Sequence, residues 1–522
     1  MTKELNELKE LIMVVGQHYR DVGDLFGGNG KNSSSKLANL YQGIASGEYF
    51  SDEAATAQLY ANELVGSSYR KLKFSLREKL INALFDLDVR SAEYNDYQKA
   101  YYECHKLWAA VKILLGKNAN AAATTLALKL FKQAEHFEFT AMAMDIASAL
   151  RLHYGIREGD TSKFTFYSER YDYHVNLYLL EGKAEQLYLD SVIIEVTSKE
   201  QKPSGWPTLE AAFKQISALL LEGNSYRLNL YAALVQLSYF SAKKDYAAAK
   251  KICKEHIDYF TQKNYEAHIP LQIFFYQQLI FSFNLKQFSE RSKLAQVCKS
   301  YMQEGSYNWF KYQEVLLQMA LYEEDYAPAF DIHFQATKHP RFSLLPENVT
   351  EVWTVIRAHL YFLAISQAVD FNPKRFSIKS FRAKKFDNET VLYSKDKRGL
   401  NITIQIIQFV ILLVENKRAE AIDHIEALEQ YSYRHLRKEE YLRSRIFIKM
   451  LLSIPLSGFD TLEFKKKNEL NLQKLNSAQS FNNAQLSEIE ILPYESIWKI
   501  LCNTFQSRPS VDRFNLAAYS HA

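Results

Sequence analysis

The sequence predicts an all-α fold, an α-solenoid of stacked antiparallel helix pairs, on three observations. Chain breakers are scarce: 17 Gly and 10 Pro in 522 residues, against ordinary usage of about 7% and 5%. Apolar residues recur at i, i+3, i+4 and i+7, the spacing that lines one face of a helix. A helix–turn–helix scheme also repeats between Leu228 and Pro340, with second helices expected to start at Tyr246, Phe288 and Tyr326, 42 and 38 residues apart. A unit of about forty residues cannot bury its own apolar face, so it must stack on neighbours, which is the logic of a helical solenoid. Such a chain reaches 522 residues without splitting into separate globular cores.

In chain order, residues 4–26 read as a helix with Leu5, Leu8, Leu11, Ile12, Val15 and Tyr19 in phase. The run Gly27–Gly28–Asn29–Gly30–Lys31–Asn32–Ser33–Ser34–Ser35 follows and reads as a flexible linker. A phosphate-binding loop needs a first Gly where Leu25 stands and a hydroxyl where Asn32 stands. These residues make up the first segment, 1–35. The next, 36–202, is helical repeat, with paired-helix grammar from Tyr97 and again from Phe139, 42 residues on. Residues 160–198 read as one or two long helices, Phe164–Leu180 and Ala184–Val196. Lys202–Pro203–Ser204–Gly205–Trp206–Pro207 breaks the pattern, and Thr208 is a candidate cap for the helix after it.

The central repeats occupy 203–369. The first unit carries Leu228, Tyr231, Leu234, Val235, Ser238 and Tyr239, a turn at Lys243–Lys244–Asp245, then Tyr246, Ala249, Ile252, Cys253, Ile257 and Phe260. The next two turn at Leu285–Lys286–Gln287 and Glu323–Glu324–Asp325. Tyr246 and Tyr326, in the first turn of their helices, are expected to pack against the preceding helix of their own unit. Val349–Ala368 reads as a long apolar helix, 370–398 as an insertion, and 399–505 as helical pairs (Asn401–Glu415, Arg418–Tyr431, two more in 439–475). Tyr494–Phe505 reads as a helical cap on the end of the array, with a tail at 506–522. Glu488–Ile489–Glu490–Ile491 alternates like a short strand.

An aromatic residue followed by Ala three positions on, as in Tyr326, Ala329, Ala336 and Pro340, resembles the second helix of the tetratricopeptide repeat; Tyr246 with Ala249 matches in part. Leu237 and Leu317 stand near the place of that repeat's first-helix Gly, and the units exceed its usual 34 residues. The array is therefore similar to a degenerate tetratricopeptide repeat, which implies a right-handed superhelix. The stretches Gly305–Ser306–Tyr307–Asn308–Trp309–Phe310, Leu345–Pro346–Glu347–Asn348 and Lys395–Asp396–Lys397–Arg398–Gly399–Leu400–Asn401 resemble an uncharacterised family of such proteins from Bacteroidetes. That resemblance implies a source and no activity.

Composition narrows the function classes. Cys104, Cys253, Cys298 and Cys502 are far apart and form no CxxC pair, so a reducing cytoplasm is expected and no disulfide framework. The N-terminal apolar run, Leu11–Val15, is too short for a signal peptide's core. Ile402–Val414, the most apolar window, is too short to span a bilayer and reads as a buried helix. No HExxH, GxSxG or GxGxxG is present, and His333 and His339 lack the i, i+4 spacing of a zinc helix. No catalytic residue, metal or cofactor is assigned.

One stretch departs from the background. Residues 373–398 hold nine basic and three acidic side chains, a net of +6 in a chain whose total is +4. Lys374, Arg375, Lys379, Arg382, Lys384 and Lys385 are the candidate partner-binding residues, interleaved with Phe376, Phe381 and Phe386. Basic heads among aromatic rings suit an acidic or phosphate-bearing partner. The alternative is a solvated loop pinned by its phenylalanines, its charges facing acidic helices. Gln236, Gln272, Gln313 and Gln318 are the candidates to line a concave surface. The leading expectation is a non-enzymatic scaffold presenting that surface to a protein or peptide. A nucleic-acid-associated protein using the insertion is the second reading, which a near-neutral total charge disfavours, and an enzyme with an unrecognised site is the third.

Overall fold

In the computed structural model, residues 3–16, 35–60, 65–86, 95–197, 206–288, 291–381, 386, 400–436, 441–478 and 490–507 are described. Every α- and 3-10 element among them is helical, and no strand occurs among the described residues. The Gly/Ser run before Ser35 and residues 198–205 lie outside the described residues, as do Glu488 and Ile489; Glu490 and Ile491 are not in a strand. The chain divides into two compact units. The first comprises Met1–Leu179 with Asn264–Glu266, the second Leu180–Lys263 with Ala267–Ala522. The boundary falls inside a single helix, Thr161–Thr197, whereas the sequence pattern breaks at 202–207.

The first unit opens with α1 (Lys3–Gly16), α2 (Lys36–Ser46), α3 (Asp52–Tyr60) and α4 (Ser67–Leu84). They share a core of Leu5, Leu8, Ile12, Leu40, Ile44, Tyr69, Leu76 and Leu80. A second core joins α5 (Asp96–Gly116), α6 (Asn120–His136), α7 (Thr140–Leu152), a π-helix (His153–Glu158) and the start of α8 (Thr161–Thr197). Cys104, Trp108, Leu130, Phe131, Ile146 and Tyr154 are buried in it. Trp108 Nε1–H and Lys112 Nζ both donate to the Asp145 carboxylate, at 2.9 and 2.8 Å, tying α5 to α7.

The second unit continues with α9 (Trp206–Glu222), α10 (Tyr226–Ala242), α11 (Tyr246–Thr261), α12 (His268–Asn284), α13 (Arg291–Ser300), α14 (Tyr307–Tyr322), α15 (Tyr326–Lys338) and α16 (Glu347–Ile365). After the insertion come α17 (Leu400–Val414), α18 (Arg418–His435), α19 (Leu442–Leu456), α20 (Thr461–Ser477) and α21 (Tyr494–Gln506). Most consecutive helices of the array pack on each other. Tyr246 and Tyr326 begin their helices as the pattern requires, while Phe288 is a lone 3-10 position and α13 runs from Arg291. The Tyr246 ring lies 6.2 Å from Phe281 of α12, the helix after its own.

One turn recurs in both units. Asn118, Glu138, Lys244, Lys286, Glu324, Gln367 and Asn416 all adopt positive φ, between 54° and 60°. In each case the next residue's N–H donates to the carbonyl five residues back, for example Ala119 to Leu114, Asp245 to Phe240 and Asp325 to Ala320. This is the Schellman closure of a helix end, made with side chains where glycine is usual. At Ala119, Phe139, Asp245, Asp325 and Lys417 that next residue is already the N-cap of the following helix, with ψ between 58° and 74°. One residue therefore ends one helix and begins the next. The positive-φ residues 244, 286 and 324 reproduce the 42- and 38-residue spacings of the sequence.

In the second unit α14, α16 and α17 are buried nearly all the way round, as expected of helices apolar on every face. The last helix does more than cap the array. Tyr494 stacks on Phe447 of α19 at 4.4 Å, and α21 also packs on α20 and α17. Its far contacts reach the α14–α15 turn: Tyr322 Oη donates to the Glu490 carbonyl at 2.7 Å, and Glu324 accepts from Ser496 Oγ at 3.1 Å and Lys499 Nζ at 2.6 Å. Arg443 anchors the approach to α21. It donates to Glu490, Glu495 and the carbonyls of Leu475 and Ala478, so a guanidinium with little exposure is fully paired.

Candidate functional site

The insertion is held on the second unit by its aromatic rings. After Gln367 the chain turns through Asn372, whose carbonyl accepts from the N–H groups of Arg375 and Phe376. This aims Phe371 and Phe376 at Phe330 of α15, with ring centroids 5.0 and 4.9 Å away. Phe381 stacks on Tyr361 of α16 at 4.3 Å, and Phe386 lies 5.7 Å from Phe381. Phe376 and Phe386 are buried. The three rings at five-residue spacing thus face inward.

The basic heads part company. Arg375 pairs with Asp331 of α15 at 2.7 Å, while Lys374 and Lys379 are exposed. Arg382, Lys384 and Lys385 lie outside the described residues. Beneath the insertion, His333 sits 6.2 Å from the Phe376 ring and 6.0 Å from Trp353. Burial, with a contribution from Arg357, pushes its imidazole pKa down to about 4. His359 on α16 is lowered to about 4 by burial as well, and its Nδ1–H donates to the Val355 carbonyl. A neutral ring accounts for both sites; neither is set up to exchange a proton near neutrality.

The four glutamines do not form one surface. Gln313 and Gln318 are 7% and 3% exposed on α14, which corrects the expectation that they line an open groove: that helix is enclosed on all sides. Gln272 donates to the Tyr301 carbonyl and accepts from Asn308, and Gln236 lies 3.3 Å from His256. These are packing and loop-fixing roles. The nearest approach to catalytic geometry is on α6 and α8, where Arg170 and His174 converge on Glu135, His174 at 3.4 Å. Burial would raise that carboxyl, yet the hydrogen bonds from His174 and Arg170 hold it below the usual range. Among the described residues no three His, Cys, Asp or Glu side chains are grouped to hold a metal, and no helix is long and apolar enough to cross a membrane.

Exposed apolar surface gives a clearer signal, one that helical periodicity hides. Fourteen large apolar side chains are exposed among the described residues of the first unit and twelve among those of the much longer second unit. Ten of the fourteen fall between Tyr101 and Leu179, with Ile113 on α5, Leu152 at the end of α7, Ile156 on the π-helix and Phe164 and Phe166 on α8. Comparison of the chain with family models, with curated proteins and with solved structures finds no match to any.

Proposed function

We propose that this chain is a non-enzymatic scaffold, a tetratricopeptide-like array of right-handed superhelical sense that works in the cytoplasm by docking a protein partner on its first unit. The observation that carries the reading is the density of exposed apolar side chains from α5 to α8, Ile156 being 77% exposed. Exposed apolar side chains concentrated in one part of a folded chain are a common mark of an interaction site. The test is affinity capture from the source cell with the wild type beside a variant carrying Ile113→Ser, Leu152→Ser and Ile156→Ser. A partner held by the wild type and lost from the variant, at equal melting temperatures, is the expected result. The same proteins captured by both would reject the surface.

The exposure of Lys374 and Lys379 favours a second reading, contact with a phosphate backbone through the insertion. Such binding would weaken steeply with salt, because each neutralised phosphate releases counterions. Titration of labelled single- and double-stranded oligonucleotides at two salt concentrations decides it. No binding by the wild type at low salt removes this reading.

A further inference from the structure

An open cleft of about 490 Å³ lies in the first unit between α6, the π-helix and the start of α8. Two tyrosines line it: the rings of Tyr154 and Tyr167 stack on each other at 5.6 Å with an interplanar angle of 7°, and both residues are buried. Phe166 stands edge-on to Tyr167 at 5.0 Å and remains half exposed, so one ring face of the wall is open to water. Two cations reach the same space. Lys163 Nζ lies 4.5 Å over the Tyr154 ring, and Lys132 of α6 is also in the lining.

The backbone is irregular where the cleft forms. The chain leaves α7 through six residues of π-helix, closed by Gly159 at φ 67°. Gly155 is needed within it, since a Cβ there would come to 2.8 Å from the Phe164 ring. A π-helical turn is less favourable than α and occurs disproportionately at functional sites. Here it carries Tyr154 into the lining.

The charges fix the kind of ligand. Asp160 accepts from the Lys163 N–H and pairs with its ammonium at 3.3 Å, so part of that cation is already balanced. Lys132 has no ion pair among the described residues. Glu158 adds a further negative charge near Lys163, so the unbalanced cation of the lining is Lys132. Its volume lies within the range of about 300–1,000 Å³ common for small-ligand sites.

We infer that the cleft binds a small ligand bearing one anionic group on an aromatic ring, the anion held by Lys132 and Lys163 with the Ser162 hydroxyl as a donor, the ring lying against Phe166. A carboxylate and a phosphate monoester share this chemistry; a polyphosphate, with Asp160 and Glu158 already acting on Lys163, does not suit the site. The cleft would take such a ligand whether or not the unit also docks a protein.

Isothermal titration of the full chain with phenylacetate, phenyl phosphate, acetate and inorganic phosphate tests this. At least one aromatic anion should bind tenfold or more tighter than its non-aromatic counterpart, and which of the two does so identifies the anionic group. Lys132→Gln, on an exposed side chain, should weaken that binding at least fivefold at an unchanged melting temperature. Phe166→Ala should abolish the preference for the aromatic anion. Absence of binding by both aromatic anions at millimolar concentration overturns the inference, as does equal affinity for aromatic and simple anions or an unchanged affinity in Lys132→Gln.

Discussion

In the second unit α16 and α17 bury side chains on every face, Trp353, Phe362 and Phe409 among them, whereas in the first unit α5 and α8 leave Tyr101, Tyr102, Phe164 and Tyr173 open to solvent. The two are built from the same element, helices joined by the same positive-φ turn. What differs is closure. In the second unit a whole helix, α21, comes back to the α14–α15 turn through Glu324 and Tyr322, whereas in the first unit the corresponding α6–α7 turn is met by the non-helical Tyr265, which donates to Glu138. The contrast teaches that a shared local geometry does not fix how much apolar surface an array leaves for others. That depends on contacts between residues far apart in sequence.

Acid should separate the two most strongly. Burial lowers the imidazoles of His256, His333 and His359, all in the second unit, to about 4. In the unfolded chain each ring has a pKa of about 6.5, so below that pH the unfolded state binds more protons. Stability is then lost as pH falls from about 6.5 toward 4, by about 1 kcal/mol per pH unit for each ring. Pulse-labelling hydrogen exchange at stepped pH should show peptides of the second unit losing protection before those of the first. His359→Gln should flatten the dependence of the urea midpoint on pH. Simultaneous loss in both units would break the comparison.

Large-to-small substitutions come next. Trp353→Ala should cost about 3–5 kcal/mol, the range for removing a buried aromatic, while Ile156→Ser should stay within about 0.5 kcal/mol. Urea melts of the two variants measure this, and a large loss for Ile156→Ser would show that the first unit's exposed rim is structural.

The insertion offers the same contrast inside one segment. Phe376→Ala should cost about 3 kcal/mol because the ring packs on Phe330 and His333. Changing Lys379, Arg382, Lys384 and Lys385 to Ser together should leave the melting temperature nearly unchanged if, like Lys379, they make no stabilising pair, since surface charges add little stability. A marked fall for the quadruple variant would place those charges in the fold.

The smallest effect concerns the shared turn. Lys244→Gly should stabilise by up to about 1 kcal/mol by relieving a left-handed conformation unfavourable to side chains. Lys244→Val should destabilise by about 1–2 kcal/mol, read from thermal melts. Equal melting of both would mean the turn carries no strain.

Helices and turns were legible because each depends on neighbours a few residues away. The apolar phase around Tyr246 and Tyr326 and the polar triplets at 243–245 and 323–325 mark the ends that the structure shows. The inward phenylalanines were legible too, as rings that an otherwise basic loop must bury. Gln313 and Gln318 were not, because a polar residue on a helix enclosed on all sides looks like one on an open face until the neighbours are known. The return of α21 to Glu324 joins residues about 170 positions apart and leaves no periodic trace. Nor does the π-helix, which adds one residue to a turn that sequence reads as ordinary α. The cleft was missed for that reason: Lys132 and Lys163 read as solvated charges on separate helices.

The positive-φ turn also bears on how such a chain changes length. Each junction has the same backbone conformation, so excising residues 287–324 would place Asp325 directly after Lys286, which already has the torsion that Glu324 supplies before it. Helix pairs can thus be gained or lost at these points without inventing a joint, like carriages sharing one coupling. And because the coupling residue keeps a side chain, each is free to acquire a role of its own, as Glu324 has in holding α21.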